Sequence, residues 1–83
     1  MKLTKEQMER LRPYERYMRT AVRARWASNP GMEGIETLRG VWEEVTGTRR
    51  NMSASCAVCI LNLLTDVGRL YLDSLPQKTR RTR

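Results

Sequence analysis

From Cys56 to Tyr71 the apolar residues return at helical spacing: Cys56, Cys59, Ile60, Leu63, Leu64, Val67, Leu70 and Tyr71 make one unbroken stripe. Nothing else in the chain constrains its fold as much. A helix with so broad an apolar face must be covered by other elements, because its own backbone bonds are marginal in water. No segment alternates apolar and polar residues in the manner of a strand, so the cover must also be helical. The fold class expected is therefore all-α, a small bundle of three helices with a short extra N-terminal helix as a fourth element.

Two more amphipathic segments supply the cover. Leu3-Thr4-Lys5-Glu6-Gln7-Met8 reads as a helix start, with Thr4 as N-cap, Gln7 completing a capping box and Leu3 stapled to Met8. Pro13 interrupts the helix begun there, leaving Lys5–Leu11 as a prelude to a longer helix over Pro13–Ala27. That helix turns Tyr14, Tyr17, Met18, Ala21 and Val22 to one side. Ser28-Asn29-Pro30-Gly31 ends it and opens the next helix, with Asn29 as N-cap and Pro30 at N1. Ile35, Leu38, Trp42 and Val45 form the second stripe, closed by Gly47 at C′. Gly34 and Gly40 each lower helix propensity by about 1 kcal/mol relative to alanine, which points to close helix packing or a frayed beginning, with packing the expected cause at Gly40. Ser53 or Ser55 caps the third helix, which runs to about Ser74 before Pro76. The expected core is Ile35, Leu38, Trp42, Val45, Cys59, Ile60, Leu63, Leu64, Val67 and Tyr71, closed by Tyr14, Met18, Ala21 and Val22, with methionines as gap-fillers. Residues 1–75 make one domain. Residues 77–83 contain nothing apolar, and residues 76–83 read as a disordered basic tail.

The charge is unevenly placed. The chain carries a net +7, and residues 1–30 hold eight cations against three carboxylates, whereas residues 31–46 hold one against four. Arg12, Arg16, Arg19 and Arg23 fall at i, i+4, i+7 and i+11, a strip roughly 60° wide on one helix face. Like-charged neighbours at i,i+4 cost a helix on the order of 0.2–0.5 kcal/mol each, so an anionic partner explains the row better than folding does. Thirteen of the sixteen cations are arginine, whose planar fork suits phosphate and carboxylate and stacks on rings. Arg49 and Arg50 extend the footprint, the tail adds Lys78, Arg80, Arg81 and Arg83, and Trp26 lies beside the strip as a stacking surface. Arg25 falls on the apolar face, where it must snorkel or pair with Glu43 or Glu44. The leading expectation is electrostatic binding to nucleic-acid phosphates. The alternative is an adaptor or inhibitor that sets the same arginines on an acidic protein surface, with Trp26 as an apolar anchor. A helix-turn-helix is disfavoured: the third helix opens on small uncharged residues, and the second carries Glu33, Glu36, Glu43 and Glu44.

Cys56-Ala57-Val58-Cys59 has the spacing of half a zinc site or of a redox pair. With no histidine and no third cysteine, zinc would need a second copy of the chain to complete four ligands. Position on the apolar stripe favours a third reading, two small buried hydrophobes, and one pair of cysteines makes no disulfide framework and suits a reducing compartment. No cofactor and no enzyme activity are expected: the sequence lacks histidine, a nucleophile beside a base, and a phosphate-cradling glycine loop. It also lacks a membrane span and a signal-peptide h-region, which fits a cytoplasmic protein. A chain of 83 residues makes a small core, and a homo-oligomer or partner would support it.

The segments Leu11-Arg12-Pro13-Tyr14-Glu15, Val41-Trp42-Glu43-Glu44-Val45-Thr46-Gly47 and Asn51-Met52-Ser53, with Cys56-Ala57-Val58-Cys59 and Gly68-Arg69-Leu70-Tyr71, resemble a group of short proteins of phages and prophages of Bacteroides-type bacteria. The resemblance spans most of residues 3–73. It implies a phage context and a bacterial host cytoplasm, and it transfers no functional residue.

Overall fold

The computed structural model describes residues 2–53 and 55–75. In chain order it contains α1 (Lys5–Leu11), a 3-10 turn (Arg12–Tyr14), α2 (Glu15–Ala24), α3 (Met32–Thr46) and α4 (Ala57–Ser74). The described residues contain no strand, and the architecture is the expected all-α bundle of three longer helices preceded by a short one. None of these helices is long and apolar enough to cross a membrane.

The first helix begins as its sequence dictates. Thr4 Oγ1 accepts from Gln7 N at 3.1 Å and Thr4 N donates to Gln7 Oε1 at 2.9 Å, so two otherwise orphaned amides are satisfied reciprocally. Leu3 N donates to Ser74 Oγ at 2.8 Å, fastening the start of the chain to the end of α4. Pro13 sits at the first turn of the 3-10 segment, where its missing amide costs nothing, and the chain passes through that tighter turn into α2. α3 ends at Gly47, whose φ of 74° is the left-handed conformation glycine adopts freely. α4 ends at Leu75, which is extended as the residue before a proline must be.

α2 lies along α4, and α3 and α1 close the remaining sides. The core comprises Leu3, Leu11, Met18, Ala21, Ile35, Leu38, Val41, Ile60, Leu63, Leu64, Val67 and Tyr71. Trp42, Val45, Tyr14, Val22 and Cys59, expected inside, are only half-buried, and Val41 takes the central place on α3. The shift of one position reflects an α3 that presents a narrow face to α4, leaving its Trp42 edge to be covered from the loop instead. Met18 is buried and Met8 and Met52 pack against the core, whereas Met32 is exposed at the start of α3.

Several helix ends differ from expectation. The long basic helix stops at Ala24, not Ala27, because Arg25 adopts the left-handed conformation at φ 56° and returns its amide to Ala21 O at 3.1 Å. No glycine advertises this turn. α3 is capped by Gly31, and Asn29 instead forms a turn in which its Oδ1 accepts from Gly31 N at 2.8 Å. α4 is capped by Cys56, neither Ser53 nor Ser55.

The glycines also sort differently. A Cβ at Gly34 would lie 2.8 Å from Tyr14 Cε1, and one at Gly68 would lie 3.2 Å from the backbone oxygen of Met18, so these are the close approaches. At Gly40 the nearest atom is Arg10 Nη2 at 3.5 Å, ordinary contact with a flexible side chain. Packing therefore does not require glycine there. Gly40→Ala is expected to raise stability by about 0.5–1 kcal/mol, read as a higher urea midpoint at unchanged m; an unchanged or lower midpoint would show that α1 cannot yield at this point.

The loop between α3 and α4 is held chiefly through Arg50. Arg50 lies over the Trp42 ring with its guanidinium carbon 4.9 Å from the centroid, and its Nη2 donates to Asp66 Oδ2 at 2.8 Å. Arg39 Nε donates to the backbone oxygen of Arg50 at 3.0 Å. Trp42 is thus roofed by an arginine where the sequence pattern placed it in the core.

Candidate nucleic-acid interface

The row of arginines divides into two pairs. Arg16 and Arg23 project from the outer face of α2, are exposed, and make no ion pair among the described residues. Arg19 instead bonds Glu15 through Nε and Oε2 at 2.6 Å, one turn back on the same helix. The other oxygen of Glu15 accepts from Tyr71 Oη of α4 at 2.7 Å. Arg12, in the 3-10 turn, is exposed and close enough to add its positive potential to the same carboxylate. The strip is therefore not four bare like charges, because one carboxylate interleaves with it and ties it to the core helix through a buried tyrosine.

The Tyr71 hydroxyl, and after it the Arg19 guanidinium, hold the Glu15 carboxyl below its ordinary 4.5. Burial, with Glu15 adding to it, raises Tyr71 above 10.0. For Glu15 the sign follows from the lowered folded value. Its contribution is complete above the unfolded value and disappears as pH falls below about 4.5 through the folded one. Glu15→Gln should cost about 1 kcal/mol at pH 7, the order of one partly exposed charge-assisted hydrogen bond. Urea midpoints of the variant and the parent should converge once the pH has fallen through the folded value of Glu15, where both side chains are neutral. A gap that persists in acid would mean that the site is held by packing and not by this charge.

The turn at Arg25 gives the strip a second component. By leaving the helix in the left-handed conformation, the chain folds Trp26 and Ser28 back beside α2. Together with Arg16, Tyr17 and Thr20 they line a groove of about 210 Å³. Trp26 is 61% exposed there. Helical arithmetic does not place Trp26, which is off the helix, yet it still meets the basic face. The volume is below the roughly 300 Å³ at which pockets for drug-sized ligands begin, and the lining residues offer two aromatic rings, three hydroxyls and one guanidinium. Such a set suits a flat ring attached to an anion.

The other expected contacts are dispersed. Arg50 bonds Asp66 through Nη2 and lies over Trp42, so it anchors the loop. Arg49 is exposed, but it shares its groove with Glu36, Glu43, Arg39 and Arg50 on the acidic α3 side. Arg25 is exposed at the helix end and pairs with neither Glu43 nor Glu44. It is Arg10 that binds Glu44 at 3.0 Å, with Gln7 bonding the same carboxylate. Lys78, Arg80, Arg81 and Arg83 lie outside the described residues. Tyr17, Thr20 and Ser28, which the sequence pattern left out of the candidate surface, join it through the turn. Tyr17 carried a trace of this role, since it borders Arg16 at the edge of the dry face.

Cys56 and Cys59 are not core hydrophobes. Both are half-buried, Ala57 and Val58 between them are exposed, and the two sulfurs are paired as a disulfide. Among the described residues no group of three or more histidine, cysteine or carboxylate side chains is placed to hold a metal ion. The chain matches no protein-family model, no curated protein and no solved structure.

Proposed function

We propose that the chain is a non-enzymatic nucleic-acid-binding protein that grips phosphates with Arg12, Arg16 and Arg23 and stacks an unpaired base against Trp26. The observation that carries this reading is the Arg16, Tyr17, Thr20, Trp26 and Ser28 groove opening on the cationic face of α2. Phosphate contacts supply affinity without sequence information, and an aromatic platform adds stacking that any base can satisfy. Both halves of that combination are present on one face. The acidic α3, with Glu33, Glu36 and Glu43 exposed, is unsuited to the same partner and leaves α2 as the binding side.

Fluorescence anisotropy with labelled single-stranded and duplex oligonucleotides tests the proposal. Binding is expected at 50 mM salt, stronger for the single strand, and weakening as salt rises. Absence of binding to either form would overturn it. Recovery of an acidic protein, insensitive to nuclease, in a tagged pulldown would favour the adaptor reading, for which the exposed Trp26 would serve as anchor.

A further inference from the structure

We propose that Cys56 and Cys59 form a thiol–disulfide exchange site at the head of α4, with Cys56 as the attacking sulfur and low-molecular-weight disulfides of the glutathione type as its substrates. The inference is independent of nucleic-acid binding.

Three observations carry it. The two cysteines are already paired, with Cα atoms 5.2 Å apart, inside the range a disulfide spans without moving the backbone. Cys56 is the N-cap of the 18-residue α4, and its Sγ accepts from Cys59 N at 3.2 Å. A backbone amide aimed at the sulfur, together with the positive end of the helix dipole, favours the thiolate of Cys56 over that of Cys59, which sits one turn inside. Access is the third. Both cysteines are half-buried residues while Ala57 and Val58 between them are exposed, Val58 at 66%. A buried structural thiol would be sealed from such a reagent.

The position also argues against a stabilising staple. A bridge between residues three apart closes a very short loop and restrains little of the unfolded chain, while the helices around it are held by their own apolar core. What so short a bridge does readily is open and close.

The exchange balances without any other reagent. The Cys56 thiolate attacks one sulfur of RS–SR, forming a Cys56–S–SR mixed disulfide while the S–S bond breaks and RS⁻ leaves with its electron pair, later taking up a proton. Cys59 releases its proton to solvent, and its thiolate attacks the Cys56 sulfur, forming the Cys56–Cys59 bond and expelling the second RS⁻. Two protein thiols are oxidised by two electrons and RS–SR is reduced to two RSH; the reverse sequence reduces the pair.

The test uses the full chain equilibrated at pH 7 with glutathione and glutathione disulfide in varied ratio, then acid-quenched, alkylated and weighed. Dithiol and disulfide forms are expected to interconvert with the ratio and to reach the same distribution from either direction. C59S should trap glutathione on Cys56 about threefold faster or more than C56S traps it on Cys59. Serine retains the capping oxygen at position 56, so C56S keeps the start of α4. Partial alkylation of the reduced parent chain with peptide mapping gives the same comparison should either variant fail to fold. A pair that stays dithiol at every ratio, or a Cys56 no more reactive than Cys59, would overturn the assignment.

Discussion

Gly68→Val is expected to cost about 3 kcal/mol or more of stability, because two of the three nearest atoms, Met18 Cβ and the Met18 backbone oxygen, move only with α2 itself. Its Cβ alone would lie 3.0 Å from Val22 Cγ2, 3.1 Å from Met18 Cβ and 3.2 Å from the Met18 backbone oxygen. Met18 is completely buried, and its oxygen belongs to the α2 ladder, so relief requires α2 and α4 to separate. Separation would open Met18, Ala21, Leu64 and Val67 together and stretch the Tyr71–Glu15 bond one turn further on. Valine recovers only a few tenths of a kcal/mol of helix propensity over glycine. A domain of this length has about 4–12 kcal/mol in total, so the variant should lose a large share of its urea midpoint at unchanged m. Gly68→Ala, with propensity gained against a single crowded carbon, should fall between valine and the parent. A valine variant with the parent's midpoint would mean that the α2–α4 seam is looser than these distances imply.

The same seam shows what is legible in the sequence. Period and caps are enough for the class of fold, the capping box at Thr4, the Gly47 stop and the α4 stripe, because each depends on residues within one or two turns of each other. The features that escape depend on partners far along the chain. Gly68 looks like any helical glycine until α2 is laid against it, and Gly40 looks like a packing glycine until only the flexible end of Arg10 is found over it. Trp42 fits an apolar stripe, but Arg50 arrives from a loop to cover it. The α2 terminus escapes for a local reason of another kind: a left-handed residue is ordinarily glycine or asparagine, and here it is Arg25. That one turn decides the candidate site, since continued helix would have carried Trp26 away from Tyr17 and Thr20. Charge spacing, by contrast, overcounts the strip: Glu15, one turn before Arg19, pairs with it at i,i+4, a contact open to a local reading, and only the bond from Tyr71 that holds Glu15 spans 56 residues.

Arg12, Arg16 and Arg23 changed together to glutamate should abolish oligonucleotide binding at 50 mM salt, while the far-UV circular dichroism stays helical. The three are exposed and make no ion pair among the described residues; Arg12 alone also lends its charge to Glu15, and the helical dichroism reports whether the fold survives its reversal. The magnitude comes from counterion release. If each guanidinium meets one phosphate of a single strand, the parent's log K should fall with log salt at a slope of about −2, or about twentyfold between 50 and 200 mM. A second triple variant, with glutamine at the same positions, removes the three charges without adding repulsion. It should retain weak binding through the Tyr17 and Trp26 rings with the salt slope nearly flat, because stacking releases no counterions. The two variants therefore separate the two halves of the interface. Loss of binding in both would place all the affinity in phosphate contacts, and retention in both would remove α2 from the interface altogether.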